Sequence, residues 1–190
     1  DRVPYNPEDI VQGELGTKWR TALGPVDFRG QLALYYGVTK NVQQTTPLTA
    51  VNPTFTLENV GDNHIYGAEL EMNASTRLAG GRFSLGFNLS GERGRWHDGA
   101  TIIYQGRVLD LSGRSTPRTR DYIINLTGNY DHELGGGLSA VFTASYQTAA
   151  GGYDNASLER ESQNYSMLDL SAGIRTERWS LLGYVKNVTD

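Results

Sequence analysis

Apolar and polar residues alternate along most of this chain with a period of two. That is the pattern of a strand with one face against an apolar medium and the other against water or polar groups. From Ile65 to Arg77 one face reads Tyr66, Ala68, Leu70, Met72 and Ala74, and the other Gly67, Glu69, Glu71, Asn73 and Ser75. A helix would mix the two sets. Within Arg82 to Gly91 the same split separates Phe83, Leu85, Phe87 and Leu89 from Ser84, Gly86, Asn88 and Ser90. Within Asp121 to Asp131 it separates Tyr122, Ile124, Leu126 and Tyr130 from Asn125, Thr127 and Asn129, and in Leu138 to Gln147 only Val141 departs from it. Weaker versions occupy Val11 to Arg20, Phe28 to Thr39, Leu168 to Arg175 and Trp179 to Lys186, the last broken by Leu182 and Tyr184. The pattern predicts eight strands. Several exceed the ~5–6 residues usual in soluble sheets and approach the ~9–11 that a strand needs to cross a bilayer.

The connections take turns in length. Leu23 to Val26, Ala79 to Gly81, Leu134 to Gly137 and Thr176 to Arg178 are tight, whereas Gln43 to Glu58, Asp98 to Pro117 and Ala149 to Gln163 are long and polar. Outer-membrane barrels have this asymmetry, with short periplasmic turns and longer outer loops. A β-sandwich has no physical reason to place every long loop at one end. Aromatic rings favour the membrane–water boundary, and Trp19, Phe28, Phe83, Tyr130 and Trp179 all fall on the apolar face near a short turn. They read as an aromatic girdle. Tyr36, Tyr122 and Tyr146 stand eight positions from Phe28, Tyr130 and Leu138, which at ~3.3 Å per residue and ~40° of tilt is ~20 Å along the membrane normal. These tyrosines are candidates for the opposite girdle. The expected fold class is all-β: an antiparallel up-and-down transmembrane β-barrel segment of about eight strands, forming one domain over residues 1–190.

Composition narrows the alternatives. Hydrophobic residues make up 38% and charged residues 20%, mean hydropathy is −0.46, and Gly 23 and Tyr 11 accompany abundant Asn, Ser and Thr. No apolar run reaches the ~18–20 residues of a transmembrane helix, so a membrane role requires strands. With Cys 0, disulfides, thiolate catalysis and cysteine-based zinc sites are excluded. A net charge of −4 offers no electrostatic footprint for nucleic acid. The chain does not open on Met or on a basic and then apolar export signal, which reads as a mature chain or a fragment.

Several motifs bear on family. Pro7, Glu8, Glu14, Gly16 and Lys18 follow the spacing P-E-x-x-x-x-x-E-x-G-x-K, and Asn59-Val60-Gly61 precedes Gly67-Ala68-Glu69-Leu70-Glu71. Pro117 lies ahead of Asn125-Leu126 and Tyr130, and the chain closes on Lys186-Asn187-Val188-Thr189-Asp190. In order and spacing these resemble the barrel motifs of TonB-dependent outer-membrane receptors, over nearly the whole chain. The resemblance implies a 22-stranded barrel filled by an N-terminal plug domain and surrounded by outer-membrane lipid. It implies import of a scarce ligand, foremost a ferric siderophore, with cobalamin or a glycan as alternatives. It also implies energy from the TonB complex, and no resident cofactor. The plug, the TonB contact in the N-terminal region and the last strands are expected outside these 190 residues.

Glu14, Lys18, Glu69, Glu71 and Asn125 fall on the polar face, where they would line the lumen, most simply as cross-strand polar pairs. Arg93, Arg95 and Trp96 leave the sheet at one end of the second long loop, and Arg114, Arg118 and Arg120 return at the other. With Tyr104 and Tyr153 they form a basic and aromatic set suited to an anionic ligand, against the plainer reading of solvated loop charge. His64, His97 and His132 are too scattered in sequence for a metal-ligand motif, so the metal expectation is none. No dinucleotide fingerprint or P-loop is present, and Gly80-Gly81 and Gly135-Gly136-Gly137 read as turn glycines. Of six Asn-x-Ser/Thr triplets, beginning at Asn73, Asn88, Asn125, Asn155, Asn164 and Asn187, four follow from Asn and Ser/Thr alternating along one strand face.

Three functions compete. The first is part of a TonB-dependent importer. The second is a complete eight-stranded barrel with a structural or adhesion role, which requires the first strand to pair with the last. The small lumen-face residues Gly67, Ser75, Gly86, Ser90, Ser139, Ser145, Ser171 and Gly173 would fill so narrow an interior poorly. The third is an outer-membrane hydrolase, for which no Ser–His–acid spacing is present; the expectation is not an enzyme.

Overall fold

The computed structural model describes residues 5–47, 55–155 and 160–189. Ten strands form in chain order: β1 (Asp9–Leu23), β2 (Val26–Pro47), β3 (Phe55–Leu78), β4 (Gly81–Trp96), β5 (Thr101–Tyr104), β6 (Arg107–Asp110), β7 (Tyr122–Gly135), β8 (Leu138–Ala150), β9 (Tyr165–Arg175) and β10 (Ser180–Val185). Eight of them make one antiparallel sheet in the order β1-β2-β3-β4-β7-β8-β9-β10, and β5 and β6 pair separately as a hairpin. Each of the eight expected strands falls on one of the eight sheet strands, though Asp121 precedes β7 and the last strand is shorter at both ends, leaving Trp179 in the turn and Lys186 beyond β10. The sheet is open, with β1 and β10 at its two edges. The pairing that a closed eight-stranded barrel demands is therefore not made.

Register keeps the two faces unmixed across the sheet. One cross-strand row runs Leu32, Leu70, Leu89 and Ile124, and the next runs Met72, Phe87, Leu126, Tyr146 and Leu168. The opposite face carries Gln31, Glu71, Asn88, Asn125 and Gln147 in one row. The apolar face stands bare of protein: Leu15 is 74% exposed, Tyr36 53% and Phe142 45%. A sheet in water would hide such a face under a second layer, whereas a bilayer supplies the apolar medium itself.

The short turns hold the strands at one end. Ala79 (φ 47°) and Gly80 (φ 82°) are both left-handed, the two-residue hairpin geometry that matches the strands' own twist. Of the five girdle candidates, Trp19, Phe28, Phe83 and Tyr130 share the apolar face by register, and Trp179 precedes β10 in the turn. Phe83 is directly opposite Tyr130, and Tyr130 opposite Phe142. Trp19 faces Gly30 and lies over it so closely that any side chain there would collide with the indole. The Tyr130 hydroxyl donates to the carbonyls of Leu78 (3.1 Å) and Ala79 (3.2 Å), tying ring to turn.

At the long-loop end the strands outrun the sequence expectation. β2 and β3 remain paired up to Pro47 and Phe55, so the ends of the segment expected as a loop from Gln43 to Glu58 are strand; residues 48–54 lie outside the described residues. One face of that extension is covered by the cap through few apolar side chains, Val42 and Val60 among them, so no run of alternation marks it. The register slips between Thr39 and Val42, where Asn41 is left-handed (φ 54°). The polar groups of this bulge are satisfied: Asn41 N–H donates to Asp62 (2.9 Å), and its carbonyl accepts from the Asn59 amide (2.6 Å). The slip exchanges faces. Below it the even-numbered residues of β2 point to the apolar face, and above it Val42 and Thr46 point inward and are buried.

The second long loop, Asp98 to Pro117, contains the β5–β6 hairpin, which the sequence reading did not separate from loop. This hairpin folds onto the extended β2–β3 pair and closes a small core of Val42, Val60, Trp96, Ala100, Ile102 and Leu111. It is the molecule's one buried hydrophobic cluster among the described residues, and it sits in the cap rather than in the sheet.

Candidate functional site

The polar face of the sheet is a concave wall. Glu14, Lys18, Glu69, Glu71 and Asn125 line one hollow in it, together with Gln31, Asn88 and Ser90. Gln31 donates to Glu71 Oε2 at 2.7 Å and Asn73 donates to Glu71 Oε1 at 3.2 Å, so that carboxylate is held by two amides. Two rows nearer the cap, the Tyr35 hydroxyl donates to Glu92 Oε2 at 2.9 Å. Sequence reasoning did not single out this pair, although counting in twos from Phe28 places Tyr35 on the polar face.

The eight ligand-contact candidates separate into different surroundings. Tyr104 and Arg118 line one cavity beneath the cap, beside Gln43, Gln44, Asp154 and Asn155. Arg118 is left-handed (φ 64°), and its N–H donates to the Tyr153 carbonyl at 2.8 Å. Arg93, Arg95 and Tyr153 line a second cavity between β4 and the third long loop. Arg93 is bridged to Asp121 at 3.6 Å, and Arg95 donates to the Gly113 carbonyl at 3.2 Å. By register, Arg93 and Arg95 share the outward face with Tyr66 and His64.

Arg120 works as a strap, its guanidinium donating to the carbonyls of Gly151 and Gln163, both at 3.1 Å. Arg114 is exposed on the loop that returns beside β4, where its carbonyl accepts from Trp96 N–H. Trp96, expected on the rim, is instead in the cap core at 2% exposure. An aromatic residue at a strand end is compatible with either place, and only the β5–β6 hairpin decides between them.

The histidines also differ from their sequence spacing. Cross-strand register brings His97 Nε2 to 3.1 Å from His64 Nδ1, and His64 stacks against Tyr36 and Tyr66 at the cap end of the apolar face. His132 stacks on Tyr130 at the other end. Among the described residues no group of three or more His, Cys, Asp or Glu is placed to hold a metal ion.

An open sheet with one lipid-ready face, one polar concave face, short turns at one end and a folded cap at the other defines the wall of an outer-membrane transport barrel. Residues 2–188 match the family model described as TonB dependent receptor-like, beta-barrel, and the chain belongs to that family. A matching solved structure is the ferric yersiniabactin uptake receptor FyuA from Yersinia pestis, at TM-score 0.75 and 25% identity over 99% of this chain. The chain spans 26% of that receptor. A search of curated proteins found no match. The family is one of transport receptors of the outer membrane, not of enzymes.

Proposed function

We propose that this chain is part of the barrel of a TonB-dependent importer whose ligand is a ferric siderophore. In this reading further strands complete the sheet beyond β1 and β10, a plug domain of the same protein fills the lumen, and the TonB complex supplies the energy. The observation that carries it is the likeness of this fold, over 99% of the chain at TM-score 0.75, to a ferric yersiniabactin uptake receptor. The cavity lined by Tyr104 and Arg118 supports the same ligand class, since an anionic iron chelate suits a fixed cation beside an aromatic ring and amide side chains. Tyr153 would extend the contact surface, with Arg114 contributing charge nearby, whereas Arg93 and Arg95, on the outward face, would hold β4 to Asp121 and Gly113. Arg120 would position the loops, and Trp96 would hold the cap.

The test is uptake of radiolabelled iron in cells carrying or lacking the parent gene, offered one ferric siderophore at a time. The expected result is loss of uptake for at least one siderophore on deletion, and at least tenfold weaker binding for Arg118→Glu in the intact receptor. Unchanged siderophore uptake, with lost uptake of cobalamin or a glycan, would overturn the ligand class and leave the importer.

A further inference from the structure

The two arms of the third long loop run side by side and fix one aspartate between them. Ser162 N–H donates to the Gly152 carbonyl at 3.0 Å and Asp154 N–H to the Arg160 carbonyl at 3.1 Å, with Tyr153 and Glu161 bridged in between. This register sets Asp154 beside Arg160 and Ser162. Its Oδ1 accepts from the Ser162 hydroxyl at 2.7 Å, and its Oδ2 is 3.4 Å from Arg160 Nε. Both carboxylate oxygens are taken, one of them by a buried serine.

Arg118 reaches the same place from the second long loop. Its N–H bond to the Tyr153 carbonyl, 2.8 Å, sets its backbone against the residue next to Asp154. Arg118 and Asp154 line one cavity beneath the cap, and among the described residues of that lining they alone are charged. Opposite charges that share a partly enclosed site attract. Arg118 nevertheless takes part in no ion pair among the described residues, and Asp154 pairs instead with Arg160, which does not line the cavity. On the β3 side Glu58 is engaged as well, its Oε1 accepting from the Thr46 hydroxyl at 3.1 Å and from Ile103 N–H at 3.0 Å. A cation is thus left without a counter-charge although an acid stands in the same lining.

We infer that Arg160 is a specificity-determining residue of this cavity: with Ser162 it withholds Asp154 from Arg118, and so keeps that cation open to an anionic ligand. That the anion is an iron chelate rests on the siderophore reading above. Without Arg160 the two charges of the lining are free to pair with each other, and an incoming anion then meets a neutralised guanidinium beside a carboxylate that repels it. An exposed ion pair adds little to stability. What the Arg160 contact decides is therefore which arginine Asp154 keeps, while the backbone bonds of the two arms hold the loop.

Carbodiimide coupling in the intact receptor tests this, because it joins an amine to a carboxylate only at ion-pair distance. Arg118→Lys keeps the charge and supplies the amine. In that background Arg160→Gln is expected to raise coupling between position 118 and Asp154 at least fivefold, mapped by mass spectrometry, and Arg160→Lys to leave it low. Coupling equally strong with Arg160 in place, or absent after its replacement, would overturn the assignment. A second measurement reads the cavity's preference for anions. Thr45 lines the same cavity, so Thr45→Cys offers a thiol there to an anionic and a cationic methanethiosulfonate in turn. The ratio of anionic to cationic reaction rates should fall at least threefold on Arg160→Gln and recover on adding Asp154→Asn; an unchanged ratio would also overturn the assignment. Neither readout involves a siderophore, so a receptor that imports cobalamin or a glycan instead would fail the uptake assay above while leaving both of these results in place.

Discussion

Leu111 at the centre of the cap is 0% exposed, whereas Leu15 on the outward face of the sheet is 74% exposed. In the cap, apolar side chains leave water by touching one another, and the hairpin β5–β6 exists to make that contact possible. In the sheet, the strands satisfy only their backbone groups and leave apolar side chains bare, since lipid takes the place of a second protein layer. An exposed leucine therefore has opposite meanings on either side of the aromatic row. In the sheet, stability resides in the ladder of paired strands and in the quality of the lipid-facing row; in the cap, it resides in packing.

The largest expected effect comes from removing the centre of the cap. Trp96→Ala should cost about 3–5 kcal/mol locally, read as rapid amide exchange through β5 and β6 with barrel heat modifiability unchanged. Coupled loss of the barrel would show that the two regions are one cooperative unit. Next, Leu70→Arg, midway between Phe28 and Tyr36 in register, should cost about 2–4 kcal/mol on urea unfolding of the intact receptor in lipid. Ser90→Arg on the polar face should cost far less; equal costs would abolish the distinction between the faces. Tyr35→Phe should cost about 1 kcal/mol through the lost hydrogen bond to Glu92, and Glu92→Gln, which retains an acceptor, should cost less.

The smallest effect concerns pH. Hydrogen bonds from the Ser112 hydroxyl and N–H hold the Asp110 carboxyl below the usual carboxylate range. A folded-state value below the unfolded one means stability that is complete above the ordinary Asp value of ~3.9 and is lost as pH falls through the lowered value. Amide exchange at Ser112 should therefore quicken below that range in the wild type, and Asp110→Asn should remove the dependence.

The sheet was legible because two different media act on alternate residues, and that contrast writes itself into Leu70 and Glu71 alike. The upper reaches of β2 and β3 were not, because there the cap rather than lipid covers one face, through Val42 and Val60, and Gln43-Gln44-Thr45 carries no alternation. The hairpin β5–β6 was hidden by shortness: each strand has four residues, and Gln105-Gly106 between them is the one local sign of a turn. The contact of His64 with His97 spans 33 positions and follows from the pairing of β3 with β4, so it becomes readable only when register is known. Of the proposed contact set, charge and aromaticity were enough to nominate residues. They did not separate the cavity-lining Tyr104 and Arg118 from Arg120, a strap, or Trp96, a core residue.

The register slip at Asn41 also bears on how such a protein can change over generations. Within a regular strand, gaining or losing one residue turns every following side chain to the wrong face, so the lipid-spanning part of β2 tolerates substitution but not insertion. The bulge already absorbs one such slip and supplies its own hydrogen bonds. Length can therefore vary above it while the spanning residues below keep their orientation, leaving the outer end free to diversify on an unaltered wall.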